Sequence, residues 1–302
     1  MKYFVLAGLM SLAAESLATP PLYVVRESAT GKSELIVTLS LPKGDGQPRK
    51  LVTRAPLLGL NAQVQSPRCG KRELRQDGAR AWVVPGKCVE VVWTVRAKLV
   101  PNAGADVSQQ ATLRFSNPSW FLFSEPASLL RLQSDNGPST ITLKTTSPES
   151  SGLGATQVAD SVWRIPSLNN APEFFALGRL SSTTRNIGRF RVKYVADNRA
   201  RVDRLNLESM HERALHFLAR VLPPSATPSS ADLDLLIMWV GIDEKIGRDG
   251  GSAGNRSFVA NYVFGKPENE SVNAARTLAI LAHEQFHQLV DLVRGELSPL
   301  PI

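Results

Sequence analysis

The sequence predicts an α+β fold in which a β-rich first part is followed by a second part of helices and strands. Two observations support this prediction. Up to about residue 180, short segments rich in β-branched residues recur between clusters of Pro, Gly, Asn and Ser, which is typical of a β-sandwich-like domain. From residue 206 onward, segments with helical periodicity enclose two apolar segments of strand length. A chain of 302 residues is long enough for two such domains.

The N-terminus has the layout of a secretory signal sequence. Lys2 provides a positive charge, residues 3–14 form an apolar run, and Ser16-Leu17-Ala18 places small residues at a cleavage position. We therefore expect residues 1–18 to be removed and the protein to be exported, either to the periplasm or out of the cell. Retention as an uncleaved anchor is the alternative. No other segment approaches the length of a membrane span, so we expect none after signal removal.

Residues 19–180 are predicted to form the β-sandwich-like domain. Runs of β-branched residues in partial alternation, separated by turn-forming residues, indicate its strands. These strands are predicted over residues 33–42, 89–100, 111–116 and 140–146. The polar segment 148–158 is expected to be a loop within the same domain.

The two cysteines, Cys69 and Cys88, are predicted to form a disulfide. Asp77-Gly78 lies almost midway between them and is a strong hairpin signal, so the flanking segments are expected to pair around it. A bulge at Pro85-Gly86 would then bring Cys88 opposite Cys69. Two free buried thiols are the alternative, but export favours the disulfide. The sequence contains no Cys-x-x-Cys pair, which argues against metal or redox chemistry at these residues.

Residues 181–302 are predicted to form the second domain. Helical spacing of apolar residues indicates its helices, and a nearly continuous apolar run indicates a central strand covered on both faces. The predicted elements are a helix over 206–223, a buried strand over 232–243, a glycine-rich loop over 247–255, an alternating strand over 257–264 and a helix over 270–294. For the last helix, Asn269 or Ser271 is expected to be the N-cap and Gly295 the C-cap.

The basic character of the chain does not indicate a nucleic-acid partner. The formal net charge is +8, but the Lys and Arg residues are scattered and aromatic residues are not interleaved with them. We therefore expect no nucleic-acid binding.

The last predicted helix contains the motif His283-Glu284-Gln285-Phe286-His287. Histidines at this spacing lie about 40° apart around a helix and about 6 Å apart along it, so both imidazoles can bind one metal ion. A glutamate between them is the residue that zinc peptidases with this pattern use as the general base. The motif therefore predicts Zn²⁺ bound by His283 and His287, with Glu284 as the catalytic base. The alternative is two histidines on a helix face near solvent, with an ordinary glutamate between them.

The same helix is expected to bury an apolar stripe beside the motif. The stripe comprises Leu278, Ala282, Phe286, Leu289 and Val293. Asp291 lies too far along the axis to join both histidines on one ion, but it could orient His287. Glu296 would have to turn back past the C-cap to act as a third ligand.

A second histidine pair, His211 and His216, is not expected to bind metal. Five residues of separation place the two side chains about 140° apart around a helix. We therefore expect surface or boundary histidines.

The sequence resembles the glycyl-aminopeptidase family of gluzincin zinc metallopeptidases. The resemblance is specific at residues 250–258, which look like the family's Gly-Gly segment and edge strand, and at residues 282–290, close to its His-Glu-x-x-His-x-x motif. It implies a β-sandwich domain followed by a partial thermolysin-like (zincin) catalytic domain. It also implies aminopeptidase-like hydrolysis of peptides or proteins. An edge strand near Ser257–Val263 would bind the substrate backbone by β-addition.

Two departures from the family pattern bear on activity. Ser252-Ala253 replaces the Glu-His pair that often follows the family's Gly-Gly. The third zinc ligand of gluzincins, a Glu on the next helix, has no counterpart before Ile302. We therefore expect either a peptidase truncated before its third ligand or a shortened relative with an incomplete site. In the second case the protein would be an inactive pseudo-peptidase that acts as a non-catalytic binding module.

Overall fold

The computed structural model describes most of the chain and is largely β-sheet with a few helices. The described residues are 22–29, 33–43, 45–53, 63–99, 111–116, 119–133, 139–144, 156–159, 162–165, 174–178, 180–188, 190–221, 233–245, 250–253 and 257–296. The predicted signal sequence, residues 1–18, lies outside them. No helix among these residues is long and apolar enough to cross a membrane.

The strands up to residue 178 form three sheets, and one short helix interrupts them. They are β1 (Leu22–Glu27), β2 (Glu34–Ser40), β3 (Gly46–Val52), β4 (Val64–Cys69), β5 (Arg72–Glu73), β6 (Arg75–Gln76), β7 (Ala81–Gly86), β8 (Glu90–Arg96), β9 (Lys98–Leu99), β10 (Leu113–Ser116), β11 (Ser119–Ser124), α1 (Glu125–Ser128), β12 (Arg131–Leu132), β13 (Ser139–Lys144), β14 (Thr156–Ala159), β15 (Val162–Ile165) and β16 (Phe174–Gly178).

The four predicted strands of this part are all present, as β2, β8 with β9, β10 and β13. The predicted loop is wrong at its end, because residues 156–158 begin β14, and residues 148–155 lie outside the described part of the chain.

Two of these sheets pack face to face. Sheet A has the order β14-β15-β13-β1-β2-β8-β4-β5, and sheet B has the order β12-β3-β7-β6. On β2, Leu35, Val37 and Leu39 are buried while the residues between them are half-buried, so one face of sheet A is covered. Trp82 and Val84 of sheet B join the same apolar core. This alternation is expected of a sheet that is covered on one face. Sheet C, with the order β16-β11-β10-β9, adds its side chains to that core.

Cys69 and Cys88 form the predicted disulfide, with their Cα atoms 6.1 Å apart, although the route differs from the predicted one. The Asp77-Gly78 turn joins only β6 to β7 in sheet B. After Gly86 the chain leaves sheet B and enters sheet A as β8, where it pairs with β4. This change of sheet, and not a bulge at Pro85-Gly86, brings Cys88 to Cys69. The disulfide therefore joins the end of β4 to the start of β8.

The remaining strands form one mixed sheet covered by helices. The elements are β17 (Ser181–Ile187), β18 (Phe190–Ala196), α2 (Arg199–Arg204), α3 (Leu207–Val221), β19 (Leu233–Asp243), β20 (Gly250–Ala253), β21 (Ser257–Phe264) and α4 (Pro267–Glu296). Sheet D has the order β17-β18-β19-β21-β20. Strands β18, β19 and β21 are parallel, whereas β17 and β20 are antiparallel to their neighbours.

The predicted central strand is confirmed as β19. It pairs with a strand on either side, and both of its faces are covered. Leu236 and Met238 point into the core shared with sheets A, B and C, while Leu235 and Ile237 point into a second core under α3 and α4. Because both faces of this strand are buried, apolar side chains are favoured on both, and this explains its continuous apolar run.

The last helix is longer than predicted at both ends. It begins at Pro267, before both expected N-cap residues, and continues through Gly295 to Glu296. Proline suits the first helical position because the N–H it lacks would have no partner there.

Candidate metal centre

The motif helix α4 packs against sheet D through a stripe that differs from the predicted one. Ala274, Thr277, Leu281 and Gln285 are buried, and they recur every three or four residues along one face. In contrast, Phe286 is 57% exposed and Ala282 is also exposed. The predicted stripe through Ala282 and Phe286 is therefore wrong. Leu289 and Val293, its last members, have side chains outside the described part.

A buried polar group lies beneath the helix on this face. His211 on α3 is fully buried, and its Nδ1 lies 2.7 Å from the hydroxyl oxygen of Tyr194 on β18. Gln285 lies near His211. A polar residue therefore occupies the buried position that the apolar spacing predicts for its neighbour, Phe286. Burial lowers the pKa of His211 to about 4, and hydrogen bonding by Gln285 opposes this shift.

The expectation that His211 is a surface or boundary residue is wrong, whereas His216 is exposed as expected. One signal could have revealed the buried histidine. Leu207, His211 and Leu215 recur at intervals of four residues on α3, and all three are buried.

The motif residues on the other side of α4 are more accessible. His283 is exposed, and Glu284 is half-buried. His287 lies one turn further along the same unbroken helix, and its side chain lies outside the described part. Gln285 is about 160° around the axis from either histidine, because successive residues differ by about 100°. The histidines therefore belong to the side of the helix that turns away from its buried stripe.

The helix packs across β21 and β20, and β20 is the last strand of sheet D. Gly251 comes so close to α4 that a Cβ on it would lie 2.9 Å from Cγ2 of Ile280. Ile280 precedes Glu284 by one helical turn, so Glu284 continues the helix face that lies beneath β20. Strand and helix thus meet at a point where only glycine fits, directly before the motif.

The predicted edge strand over Ser257–Val263 is wrong in position. These residues belong to β21, which pairs with both β19 and β20 and is therefore internal. The edge strand is Gly250–Ala253, inside the segment predicted to be a glycine-rich loop. Two glycines in a short segment concealed the strand, because glycine is a weak strand former.

A third metal ligand is not found in the described part of the chain, where no group of three His, Cys, Asp or Glu side chains could hold one ion. Asp291 and Glu296 lie on α4, but their side chains fall outside that part. The two histidines fit two of the ligand positions of a single zinc site. Neutral imidazole is a preferred zinc ligand, and the helix spaces the two histidines by one turn. The assignment of His283, His287 and Glu284 stays a prediction.

The fold is similar to that of a solved aminopeptidase N family protein, whereas no protein-family model and no curated protein matches the sequence. An aminopeptidase N family protein from Idiomarina loihiensis aligns over 89% of this chain with a TM-score of 0.63 and 13% sequence identity. The alignment covers 47% of that protein, so the chain spans about half of its length. An M1 zinc metallopeptidase from Deinococcus radiodurans also aligns, over 90% of this chain and 63% of its own, with a TM-score of 0.47 and 12% identity. The first likeness shows that this chain has a peptidase-like fold.

Proposed function

We propose that the protein is a zinc-dependent metallopeptidase that hydrolyses peptide bonds in peptide or protein substrates. The observation that supports this most strongly is the packing of α4 against β20. Gly251 contacts the helix at Ile280, and the His-Glu-x-x-His motif begins less than one turn later. A metal-binding helix beside a sheet edge is what a peptidase needs, because the edge can bind an extended peptide next to the reacting groups.

In this proposal His283 and His287 bind Zn²⁺ through their imidazole nitrogens. A bound zinc ion polarises a carbonyl oxygen and lowers the pKa of a water molecule to near 7. Glu284 accepts a proton from the attacking water on its carboxylate and then donates it to the nitrogen of the leaving amine. The half-buried position of Glu284 beside β20 supports this role. A third donor would come from outside the described residues.

The edge of β20 that is turned away from β21 is proposed to bind the substrate backbone. Its other edge is already paired with β21, from Gly250 opposite Asn261 to Ala253 opposite Phe258. A peptide that lies along β20 would form main-chain hydrogen bonds without depending on its side chains. We further propose the aminopeptidase-like mode of the glycyl-aminopeptidase family, with Ser252-Ala253 changing how the substrate's amino terminus is recognised.

The remaining proposals concern the compartment and the boundaries. We propose export directed by residues 1–18 and domains over 19–180 and 181–302. The disulfide between Cys69 and Cys88 supports an oxidising compartment. The strands of sheets A, B and C all precede those of sheet D, which is compatible with the proposed boundary.

The test combines zinc content with hydrolysis by the full chain. We expect stoichiometric zinc that is lost in His283→Ala and retained in Glu284→Gln. We also expect Glu284→Gln to lower kcat by about 10²–10⁴-fold, the usual contribution of a general base. His216→Ala is the matched control, because His216 is an exposed histidine on α3. Peptides with free and acetylated amino termini distinguish aminopeptidase from endopeptidase action.

Two results would contradict the proposal. Hydrolysis that persists in Glu284→Gln would remove the glutamate from the mechanism. A wild-type chain that neither retains zinc nor cleaves any peptide would favour the non-catalytic binding module.

A further inference from the structure

Three buried polar side chains form a row that runs from sheet D to the motif helix. Tyr194 on β18 and His211 on α3 are both fully buried, and Gln285 on α4 is 1% exposed. The Tyr194 hydroxyl oxygen is 2.7 Å from Nδ1 of His211, and the two rings are perpendicular. The row therefore connects a core strand of sheet D to the helix that contains the motif.

The last two members of the row are His211 and Gln285. Gln285 lies near enough to raise the pKa of the imidazole against the larger effect of burial. Yet Nε2 of His211 and both polar atoms of the Gln285 carboxamide are buried without a well-formed hydrogen bond in the described part of the chain. The two groups lie where α3 packs against α4 and are complementary, because an imidazole N–H can donate and a carboxamide oxygen can accept. Buried polar atoms strongly favour such pairing, since an unpaired one is costly.

The tautomer of His211 determines which atom donates. Burial raises the pKa of Tyr194 above its usual value, so its hydroxyl keeps its proton. That O–H donates to Nδ1 of His211, and the neutral imidazole then has its N–H at Nε2. This N–H is then available to donate, and Oε1 of Gln285 is able to accept. Each member of the row thus sets the orientation of the next.

Gln285 is placed where it can control the rotation of α4. It lies between Glu284 and His287 in sequence, but on the opposite side of the helix from both histidines. The other buried contacts near this point are apolar, such as Leu281 one turn earlier. A hydrogen bond at Gln285 would add a directional constraint to the close packing of the apolar side chains.

We infer that His211 is a positioning residue, which holds Gln285 and thereby sets the rotation of α4 so that His283, Glu284 and His287 face the metal. This inference rests on the proposed function. A rotation of about 10° moves an atom roughly 6 Å from the helix axis by about 1 Å, and a displacement of that size is enough to disturb a metal site.

The experiment measures zinc affinity in the full chain by competition with a chromophoric chelator. His211→Leu removes the donor and should weaken zinc binding by about 10–100-fold, the usual effect of losing a residue that orients a ligand. His211→Gln keeps an N–H near the position of Nε2, and we expect it to restore affinity to within about threefold of wild type. Gln285→Leu should resemble His211→Leu, and His216→Ala should have no effect. Thermal melting establishes which variants are folded at the assay temperature.

Tyr194→Phe provides a second route if His211→Leu does not fold. It removes one hydroxyl, frees the imidazole to change tautomer, and should weaken zinc binding in the same direction by a smaller factor. Zinc affinity that is the same in all folded variants would overturn the inference, and so would a His211→Gln variant as weak as His211→Leu.

Hydrogen exchange without metal separates this inference from the proposed function. If wild type binds no zinc, the proposed function fails, but the amides of α4 still report on positioning. We expect His211→Leu to increase exchange in α4 around Leu281–Gln285 and to leave β19 protected. Unchanged exchange in α4, or an equal increase in both elements, would show that His211 does not position the helix.

Discussion

The contact between β20 and α4 makes Gly251 the position where the smallest substitution should have a measurable effect. A Cβ at Gly251 would lie 2.9 Å from Cγ2 of Ile280 and 3.0 Å from Cζ of Phe258. Ordinary carbon–carbon contacts are about 3.5–4.0 Å, so Gly251→Ala forces strand and helix apart by roughly half an ångström or more. Overpacking of this kind costs about 1–3 kcal/mol, which outweighs the gain of about 0.4–1 kcal/mol from the less flexible unfolded chain.

The assay is chemical denaturation of a double-mutant cycle with Ile280→Ala. Because Ile280→Ala removes the methyl group that the new Cβ would meet, Gly251→Ala should cost less in that background by about 1 kcal/mol. Hydrolysis and zinc affinity should fall in Gly251→Ala and recover partly in the double variant. A Gly251→Ala variant that is as stable as wild type would refute the close packing. A cost unchanged by Ile280→Ala would refute the assignment of the clash to that side chain.

Three further predictions concern stability and are checked by denaturation. Replacing Cys69 and Cys88 by Ala should lower the free energy of unfolding by about 3 kcal/mol, because the disulfide closes a short loop in the unfolded chain, and reduction of wild type should have the same effect. Between pH 6.5 and about pH 4 the unfolded chain protonates His211 while the folded chain keeps it neutral. Stability from this residue is therefore present above pH 6.5 and is lost as the pH falls, by on the order of 3 kcal/mol in total. The His211→Gln variant should lack this loss of stability at low pH. A variant whose stability depends on pH in the same way as wild type would contradict the burial of His211. Arg131→Met should lower the free energy of unfolding by up to about 3–5 kcal/mol because it removes the ion pair with the buried Glu125, and adding Glu125→Gln should recover part of that loss.

The parts of the fold that sequence could predict are those in which burial has a simple period. Strand β2 alternates because one face is covered, and β19 is apolar throughout because both faces are covered. The long motif helix follows from its apolar spacing. These elements are predicted correctly because each local sequence pattern agrees with the packing around it.

The features that sequence could not predict depend on a partner that is distant in the chain. Gln285 is buried beside His211, which lies more than seventy residues earlier, and no pattern within the helix reveals that Gln285 is the buried residue. The edge strand was assigned to β21 instead of β20, because two glycines resemble a loop until their pairing with Ala260 and Asn261 is known. The disulfide was paired correctly, but its predicted route within one hairpin was wrong, since a change of sheet is not visible locally.

The candidate site also has one part that the sequence predicts and another that only the structure shows. The spacing of the motif predicts His283, Glu284 and His287 as the site residues, and this assignment stays a prediction. The role of Gly251 as the close contact between strand and helix required the structure.

X-ray absorption spectroscopy of the zinc-loaded chain tests the central claim most directly, because it reads the ligands around the metal. We predict a shell that includes two imidazole nitrogens at about 2.0–2.1 Å. This shell should fall to one imidazole in His287→Ala and be lost in the double variant His283→Ala/His287→Ala. A zinc shell without imidazole, or one that survives the double substitution, would contradict the assignment of this motif as the metal centre.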